Sequence, residues 1–159
     1  MRPRPLQAAT LNGDERFVKD AKTGLVWHRS SLRVLYADTD RSGAVYHSNH
    51  LRYFEHGRAS LMRDLDHPYR AVEDLGFVYP IVKTGINYYE SLGYDDLIWI
   101  HTRPGVTERV RITFNYVITR GDEPRPVCDG FTTHCALNSR RVPVAVDWKT
   151  LETWRKFPK

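Results

Sequence analysis

Apolar positions recur at three- and four-residue spacing between about residues 48 and 66, which predicts one long amphipathic helix. The residues that recur along this stripe are Leu51, Phe54, Arg58, Leu61, Met62 and Leu65. Ser48 or Asn49 is suited to cap the start of the helix, and Pro68 marks its end. A shorter helix is predicted over residues 70–75, where Gly76 stops it.

Alternating and β-branched positions predict strands on both sides of the long helix. A short apolar segment precedes it at residues 32–36, and four longer segments follow at residues 78–89, 97–102, 108–119 and 127–137. Short turns join the last four strands, so these are predicted to be antiparallel neighbours. A helix with one apolar stripe must bury that stripe against the sheet. The expected fold class is therefore α+β, with an antiparallel sheet wrapped around one long central helix.

The two ends of the chain carry weaker patterns. Residues 1–25 contain Pro3, Pro5 and Gly13 and show no periodicity, which predicts a flexible N-terminal extension. Residues 26–159 are then expected to form a single domain, an ordinary size for a chain of 159 residues. A last short helix is expected near residues 151–157.

The basic residues are concentrated at the two ends. The formal net charge is +5, whereas residues 31–138 carry more acidic than basic side chains. Solvated tails are the ordinary interpretation of such charge runs, and an electrostatic collar for a phosphorylated ligand such as coenzyme A is the alternative. Nucleic acid is not an expected partner, because the basic residues neither interleave with aromatic residues nor match a known module.

Cysteine usage and hydropathy predict the compartment. Cys128 and Cys135 are seven residues apart on one predicted strand, so they point to opposite faces and are not expected to share a metal or a disulfide. This usage is typical of a reducing compartment. The N-terminal residues do not resemble a signal peptide, and the longest uncharged apolar stretch, residues 77–82, is too short to span a membrane. A soluble cytoplasmic protein without integral membrane contact is expected.

The candidate chemistry lies in residues 36–49, between a strand end and the start of the long helix. The informative residues of this stretch are Asp38, Asp40, Gly43, His47 and Asn49. The first N–H groups of a helix have no partner inside it, so they can donate to an anion or to a polarised carbonyl. A carboxylate beside such donors can activate water or attack a carbonyl itself. On local grounds alone, an acidic turn that caps a helix is the ordinary alternative.

A family resemblance is carried by residues 35–55, which read LYADTDRSGAVYHSNHLRYFE. This segment resembles the signature of the 4-hydroxybenzoyl-CoA thioesterase family and is especially similar to the acyl-CoA thioesterases associated with the Tol–Pal system. The resemblance extends more loosely over residues 32–142, and it implies a hot-dog fold and hydrolysis of an acyl-CoA thioester. Two departures are His50, where the family usually has tyrosine, and the N-terminal extension, which is longer than usual.

The resemblance implies a role for each residue of the motif. Asp40 matches the catalytic aspartate, acting as nucleophile or as general base on water, and His47 matches the histidine that orients the thioester or the water. The N–H groups around Tyr46 and His47 would polarise the thioester carbonyl. Asp38 is expected to hold the turn. The predicted substrate-binding residues are Tyr36, Gly43, Val45, Asn49, Arg140 and Arg141.

The resemblance also implies an active site that forms where two subunits pair, in a homodimer or a homotetramer. Arg140 and Arg141 would then contact the CoA phosphates, and a solvated basic tail is the alternative. No metal and no bound cofactor are expected, since coenzyme A is part of the substrate. An acyl-carrier-protein thioesterase and a non-catalytic acyl-CoA-binding protein are the alternative functions, whereas a hot-dog dehydratase would need a different placement of histidine and aspartate.

Overall fold

The computed structural model describes residues 2–159, and these contain one sheet of seven antiparallel strands. In chain order the strands are β1 (Ala8–Leu11), β2 (Asp14–Asp20), β3 (Val26–Arg33), β4 (Ile81–Tyr88), β5 (Leu97–Thr107), β6 (Arg111–Arg120) and β7 (Pro126–Cys135). The helices are α1 (Asn49–Asp64), α2 (Tyr69–Asp74) and α3 (Trp148–Arg155). The order across the sheet is β1-β2-β3-β5-β6-β7-β4, so β1 and β4 form its two edges.

Helix α1 lies across the inner face of the sheet, because this face is the large apolar surface available to its stripe. Phe54 is fully buried and stacks on Tyr116 of β6, with ring centroids 4.2 Å apart. Gly57 makes the closest approach, since a Cβ at this position would clash with the side chains of Ile100 and Thr102 on β5. The predicted α+β hot-dog architecture is confirmed.

Strand β6 shows the predicted alternation over most of its length. Ile112, Phe114 and Ile118 face α1 and are almost completely buried. Cys128 and Cys135 occupy opposite faces of the neighbouring strand β7, and both are free thiols, as the spacing predicted. Two-residue periodicity was therefore a reliable signal wherever one face of a strand packs on α1.

The N-terminal residues form a hairpin, so the prediction of a flexible extension over residues 1–25 is wrong for most of that range. Strands β1 and β2 pair with each other, and β2 pairs with β3. The turn between them is Asn12-Gly13, and both residues have positive φ, 52° and 77°. This turn geometry matches the twist of paired strands and favours the Asn-Gly sequence. Phe17 and Val18 pack into separate clusters on the two faces of the sheet, which anchors the hairpin.

Some boundaries near the ends of the domain also differ from the predictions. Strand β3 ends at Arg33, and Tyr36–Asp38 form a short 3-10 turn where residues 32–36 were predicted to be strand. Helix α3 begins at Trp148, because the Asp147 side chain accepts a hydrogen bond from the Thr150 N–H at 2.9 Å and caps its start. In the part of the chain that the structure describes, no helix is long and apolar enough to cross a membrane.

Candidate active site

Asp38 is the buried centre of the turn that joins β3 to α1. Its carboxylate accepts hydrogen bonds from the Leu35 N–H and from the Tyr53 hydroxyl, both at 3.0 Å, and the Arg52 guanidinium donates to it at 3.2 Å. Burial, and then the hydrogen bond to Asp38, raises the pKa of Tyr53, so its hydroxyl remains a donor. The predicted role of Asp38 in holding this turn is confirmed.

The carbonyl oxygen of Asp38 accepts two further hydrogen bonds, from the Tyr46 N–H at 2.9 Å and from the Asn49 side-chain amide at 2.8 Å. Both groups were predicted to serve the substrate. The Tyr46 N–H is therefore not available to polarise a thioester carbonyl, and one of the two N–H groups of the Asn49 amide is used by the turn. The assignment of the Tyr46 N–H is wrong because a tight turn must pair its own buried polar groups, whereas substrate binding by Asn49 stays a prediction.

Asp40 lies at the exposed tip of the turn, and local hydrogen bonds fix its orientation. Its carboxylate accepts hydrogen bonds from the Ser42 N–H at 2.8 Å and from the Ser42 hydroxyl. Its carbonyl accepts from the Gly43 N–H at 3.0 Å, and Gly43 has a φ of 83°, a conformation that favours glycine. The two bonds from Ser42 hold the pKa of Asp40 below its ordinary value. The carboxylate is therefore ionised at neutral pH.

His47 lies close enough to Asp40 for its charge to contribute to the lowered pKa of that carboxyl. The His47 carbonyl oxygen accepts hydrogen bonds from the Tyr88 hydroxyl at 2.8 Å and from the His50 Nδ1 at 3.0 Å. A carbonyl can only accept, so Nδ1 carries a proton of the His50 ring. The rings of His50 and Tyr88 meet edge to face, with centroids 4.9 Å apart. The histidine that replaces the family's usual tyrosine thus helps to fix the His47 backbone.

Sequence reasoning did not identify Ser42 or Tyr88 as members of this site. Tyr88 is 41 residues from His47 along the chain, so the contact appears only once β4 is packed beside α1. Ser42 had a local signal that was available. An aspartate followed two residues later by a donor is typical of a turn in which the carboxylate accepts from the backbone.

The N–H groups of His47 and Ser48 form no hydrogen bond within residues 2–159. Both lie just before Asn49, the first residue of α1. At the N-terminus of a helix such groups favour negative charge on a nearby oxygen. The turn therefore presents an ionised carboxylate and two available donors together, which is an arrangement suited to acyl transfer.

The other predicted pocket residues near the turn have contrasting environments. Val45 is buried and lines a shallow cavity of about 270 Å³ between α1 and β4, together with His47. Tyr36 is 76% exposed, and its ring packs edge to face on Tyr94. Val45 is therefore part of the wall of this cavity, whereas Tyr36 is exposed on the surface and does not line it.

Arg140 and Arg141 lie at the opposite end of the sheet from Asp40. They belong to the turn after β7, in which the Asn138 side chain accepts from the Arg140 N–H at 2.9 Å. Cys128, close to the start of β7, pairs with Tyr88 of β4. At a rise of about 3.3 Å per residue, the rest of β7 separates the arginine pair from the Tyr88 end by roughly 20 Å. Within one chain, the structure does not bring this pair to the Asp40 turn.

Comparisons with known proteins agree with this description. The family model of the Thioesterase-like superfamily matches residues 34–151. The "Putative esterase" of Aquifex aeolicus (strain VF5) is 31% identical over 120 residues, which are 76% of this chain and 91% of that protein. The acyl-CoA thioesterase YbgC of Haemophilus influenzae is 31% identical over 90 residues, 56% of this chain, and the match spans 66% of that relative. A crystal structure of a hypothetical protein from Aquifex aeolicus has a TM-score of 0.75 at 29% identity, covering 79% of this chain and 98% of that one. These matches confirm the resemblance carried by residues 35–55.

Proposed function

Because this chain belongs to the thioesterase-like superfamily, we propose that it hydrolyses acyl-CoA thioesters and that Asp40 carries the reaction. The proposal rests on one observation: an ionised Asp40 carboxylate is exposed in the same turn as two available N–H groups at the start of α1. The acyl-CoA thioesterase name of the Haemophilus influenzae relative supports the substrate class.

In the proposed reaction, the thioester carbonyl oxygen lies against the N–H groups of His47 and Ser48. Either Asp40 attacks the carbonyl carbon as a nucleophile, or it takes a proton from the water whose oxygen attacks this carbon. The two N–H groups stabilise the negative charge that develops on the oxygen, and His47 orients the thioester or the water. The intermediate expels CoA as thiolate, which takes up a proton. If Asp40 attacks directly, water then hydrolyses the mixed anhydride and releases the free acid.

The edge strand β4 supports assembly into a dimer. Ile81, Val82 and Tyr88 on this strand are exposed, and an open apolar edge favours pairing with another chain. Antiparallel pairing of two copies about a two-fold axis would place the Ile81 end of one strand beside the Tyr88 end of the other. Arg140 and Arg141 follow β7 at the Ile81 end. The same pairing would bring them towards the partner's catalytic turn, where they would meet the CoA phosphates.

The test measures thiol release from a panel of aliphatic and aromatic acyl-CoAs by the wild type and by Asp40→Asn. We expect kcat to fall at least about 100-fold in Asp40→Asn, the scale of a lost base or nucleophile. Arg41→Gln is a matched control, because Arg41 is adjacent and exposed and makes no ion pair in the described chain. An Asp40→Asn variant as fast as the wild type contradicts the assignment of Asp40.

The acyl carrier is the main alternative within this reaction. The basic ends of the chain would complement an acidic acyl carrier protein. We therefore include the same acyl groups on a carrier protein, and hydrolysis of these alone would replace CoA by the carrier as the substrate. Tight acyl-CoA binding by the wild type without thiol release from either carrier would favour a non-catalytic binding protein.

A further inference from the structure

A larger cavity of about 360 Å³ opens beside α1, away from the Asp40 turn. Its apolar lining comes from both helices α1 and α2 and from strands β4 and β6. These apolar residues are Ala59, Met62, Val72, Ile81, Ile112 and Phe114. The volume lies near the lower end of the roughly 300–1,000 Å³ that is typical of ligand pockets, so it fits a small organic group.

One basic side chain, Arg58, reaches this cavity from α1. Its Nη1 donates to the Tyr116 hydroxyl at 3.0 Å, and its guanidinium carbon lies 6.0 Å from the centroid of the Phe114 ring. Among the described residues, no carboxylate oxygen lies within 4.0 Å of the Arg58 nitrogens. Glu55 also lines the cavity, but it is exposed and forms no ion pair with Arg58.

A directional chain of hydrogen bonds holds Arg58 in place. His134 Nδ1 lies 2.9 Å from the Tyr79 carbonyl oxygen, which can only accept, so Nδ1 carries the ring proton and Nε2 accepts. Thr132 therefore donates to His134 Nε2 at 2.9 Å, and Tyr116 donates to Thr132 at 2.7 Å. Burial lowers the pKa of His134 to about 4, so the ring is neutral at pH 7 and the direction of the chain is fixed. Arg58 is the donor at its open end.

The Tyr116 and Thr132 hydroxyls each donate their single proton along this series of hydrogen bonds. Among the described residues, the Arg58 guanidinium makes no hydrogen bond other than the one to Tyr116, so its remaining N–H groups are unpaired donors at the cavity. A guanidinium held against an apolar wall without a counter-ion favours a planar anion, and a carboxylate can accept two parallel hydrogen bonds from it. Ile81 of β4 also lines the cavity. The β4 pairing described above would place the partner's catalytic turn beside this residue.

We propose that this cavity binds the acyl part of the substrate and that Arg58 selects acyl groups that end in a carboxylate. The inference rests on the proposed thioesterase function and on pairing along β4. The thioester would lie at the catalytic turn of one subunit, while the distal carboxylate binds Arg58 of the other. Aromatic and aliphatic acyl groups share this recognition chemistry, and both are included in the test.

The test compares pairs of acyl-CoAs that differ only at the distal group. The pairs are 4-carboxybenzoyl-CoA with 4-isopropylbenzoyl-CoA, and adipoyl-CoA with 6-methylheptanoyl-CoA. We expect the wild type to favour at least one carboxylated member by about 10- to 100-fold in kcat/KM, the scale of hydrogen bonds to a charged group. Arg58→Met is expected to lose this preference. Arg70→Met, an exposed position on α2 outside the cavity, is the matched control and is expected to keep it.

The preference is the ratio of two kcat/KM values measured on the same enzyme preparation. A smaller fraction of folded protein in Arg58→Met lowers both values equally, so the ratio does not change. Equal kcat/KM values within both pairs, or a preference that survives in Arg58→Met, would overturn the role of Arg58 while leaving the thioesterase function intact. If no acyl-CoA is hydrolysed, calorimetry with the thioethers 4-carboxybenzyl-CoA and 4-isopropylbenzyl-CoA reads the same preference without turnover. A tenfold difference in Kd that Arg58→Met removes supports the site, and equal Kd values overturn it.

Discussion

Replacing Asp38 by alanine is expected to destabilise the turn that carries Asp40. The substitution leaves the buried Tyr53 hydroxyl without an acceptor and removes the side-chain partner of the Leu35 N–H. An unpaired buried donor costs about 1–3 kcal/mol, and a lost hydrogen bond costs about 1 kcal/mol. We therefore expect the free energy of unfolding to fall by about 3 kcal/mol, a large fraction of the roughly 5–15 kcal/mol typical of a domain.

Urea denaturation followed by circular dichroism measures this change, and a double-mutant cycle identifies its cause. Tyr53→Phe removes the hydroxyl that Asp38→Ala leaves unpaired. The double variant should therefore be about 1–2 kcal/mol more stable than the sum of the single effects predicts. Arg52→Met is the control, because the Arg52 guanidinium is largely exposed and its loss leaves the Leu35 N–H and the Tyr53 hydroxyl bound to the buried Asp38 carboxylate. This change should therefore cost only about 1 kcal/mol or less. Strictly additive effects, or wild-type stability of Asp38→Ala, would refute the reasoning.

Three further predictions concern the pKa of Asp40, the N-terminal hairpin and the buried histidines. Ser42→Ala removes a hydrogen bond that lowers the pKa of Asp40, so the acidic limb of the kcat/KM profile should move to higher pH. Gly13→Ala should lower the free energy of unfolding by about 1–2 kcal/mol, because an L-residue is strained at its φ of 77°. Stability in urea should fall as the pH drops from about 6.5 to 4. Burial lowers the pKa of His101 and His134 to about 4, so the unfolded chain binds these protons first.

Each of these predictions has a contradicting outcome. If the acidic limb of the kcat/KM profile does not move in Ser42→Ala, the Ser42 hydroxyl does not lower the pKa of Asp40. An unchanged urea midpoint for Gly13→Ala would contradict the left-handed turn between β1 and β2. For the histidines the control is His134→Gln, which should show a smaller loss of stability between pH 6.5 and 4 than the wild type. If the wild type and His134→Gln lose the same stability between pH 6.5 and 4, protonation of His134 does not cause the loss.

The long helix and the strands after it were predictable because each buries one face against the other. Residues 48–66 carried a helical period and α1 spans Asn49–Asp64, while residues 127–137 carried strand signals and β7 spans Pro126–Cys135. The N-terminal hairpin was missed for a physical reason. Phe17 and Val18 are the only apolar residues of β2, so its apolar pattern is too short to show a period. The Asn12-Gly13 turn was the signal that remained.

The candidate site was predicted in outline but not in its polar contacts. The motif located the turn, and the place of Asp38 within it was anticipated. The assignment of the Tyr46 N–H failed, because sequence alone does not tell which donors a turn uses for itself; one N–H of the Asn49 amide is used in the same way. Tyr88 could not be found at all, since its partner is set by the position of β4 in the sheet.

The hydrogen bond from the Tyr88 hydroxyl to the His47 carbonyl affects the proposed reaction through the peptide that joins His47 to Ser48. The His47 carbonyl and the Ser48 N–H belong to one planar trans unit, so they point in opposite directions and turn together. Tyr88 and His50 both donate to that carbonyl oxygen, which fixes the direction of the Ser48 N–H on the other side of the plane. Tyr88 lies on the open edge strand β4. Pairing of two chains along β4 would therefore act on the same peptide that, in the proposed reaction, stabilises the developing negative charge.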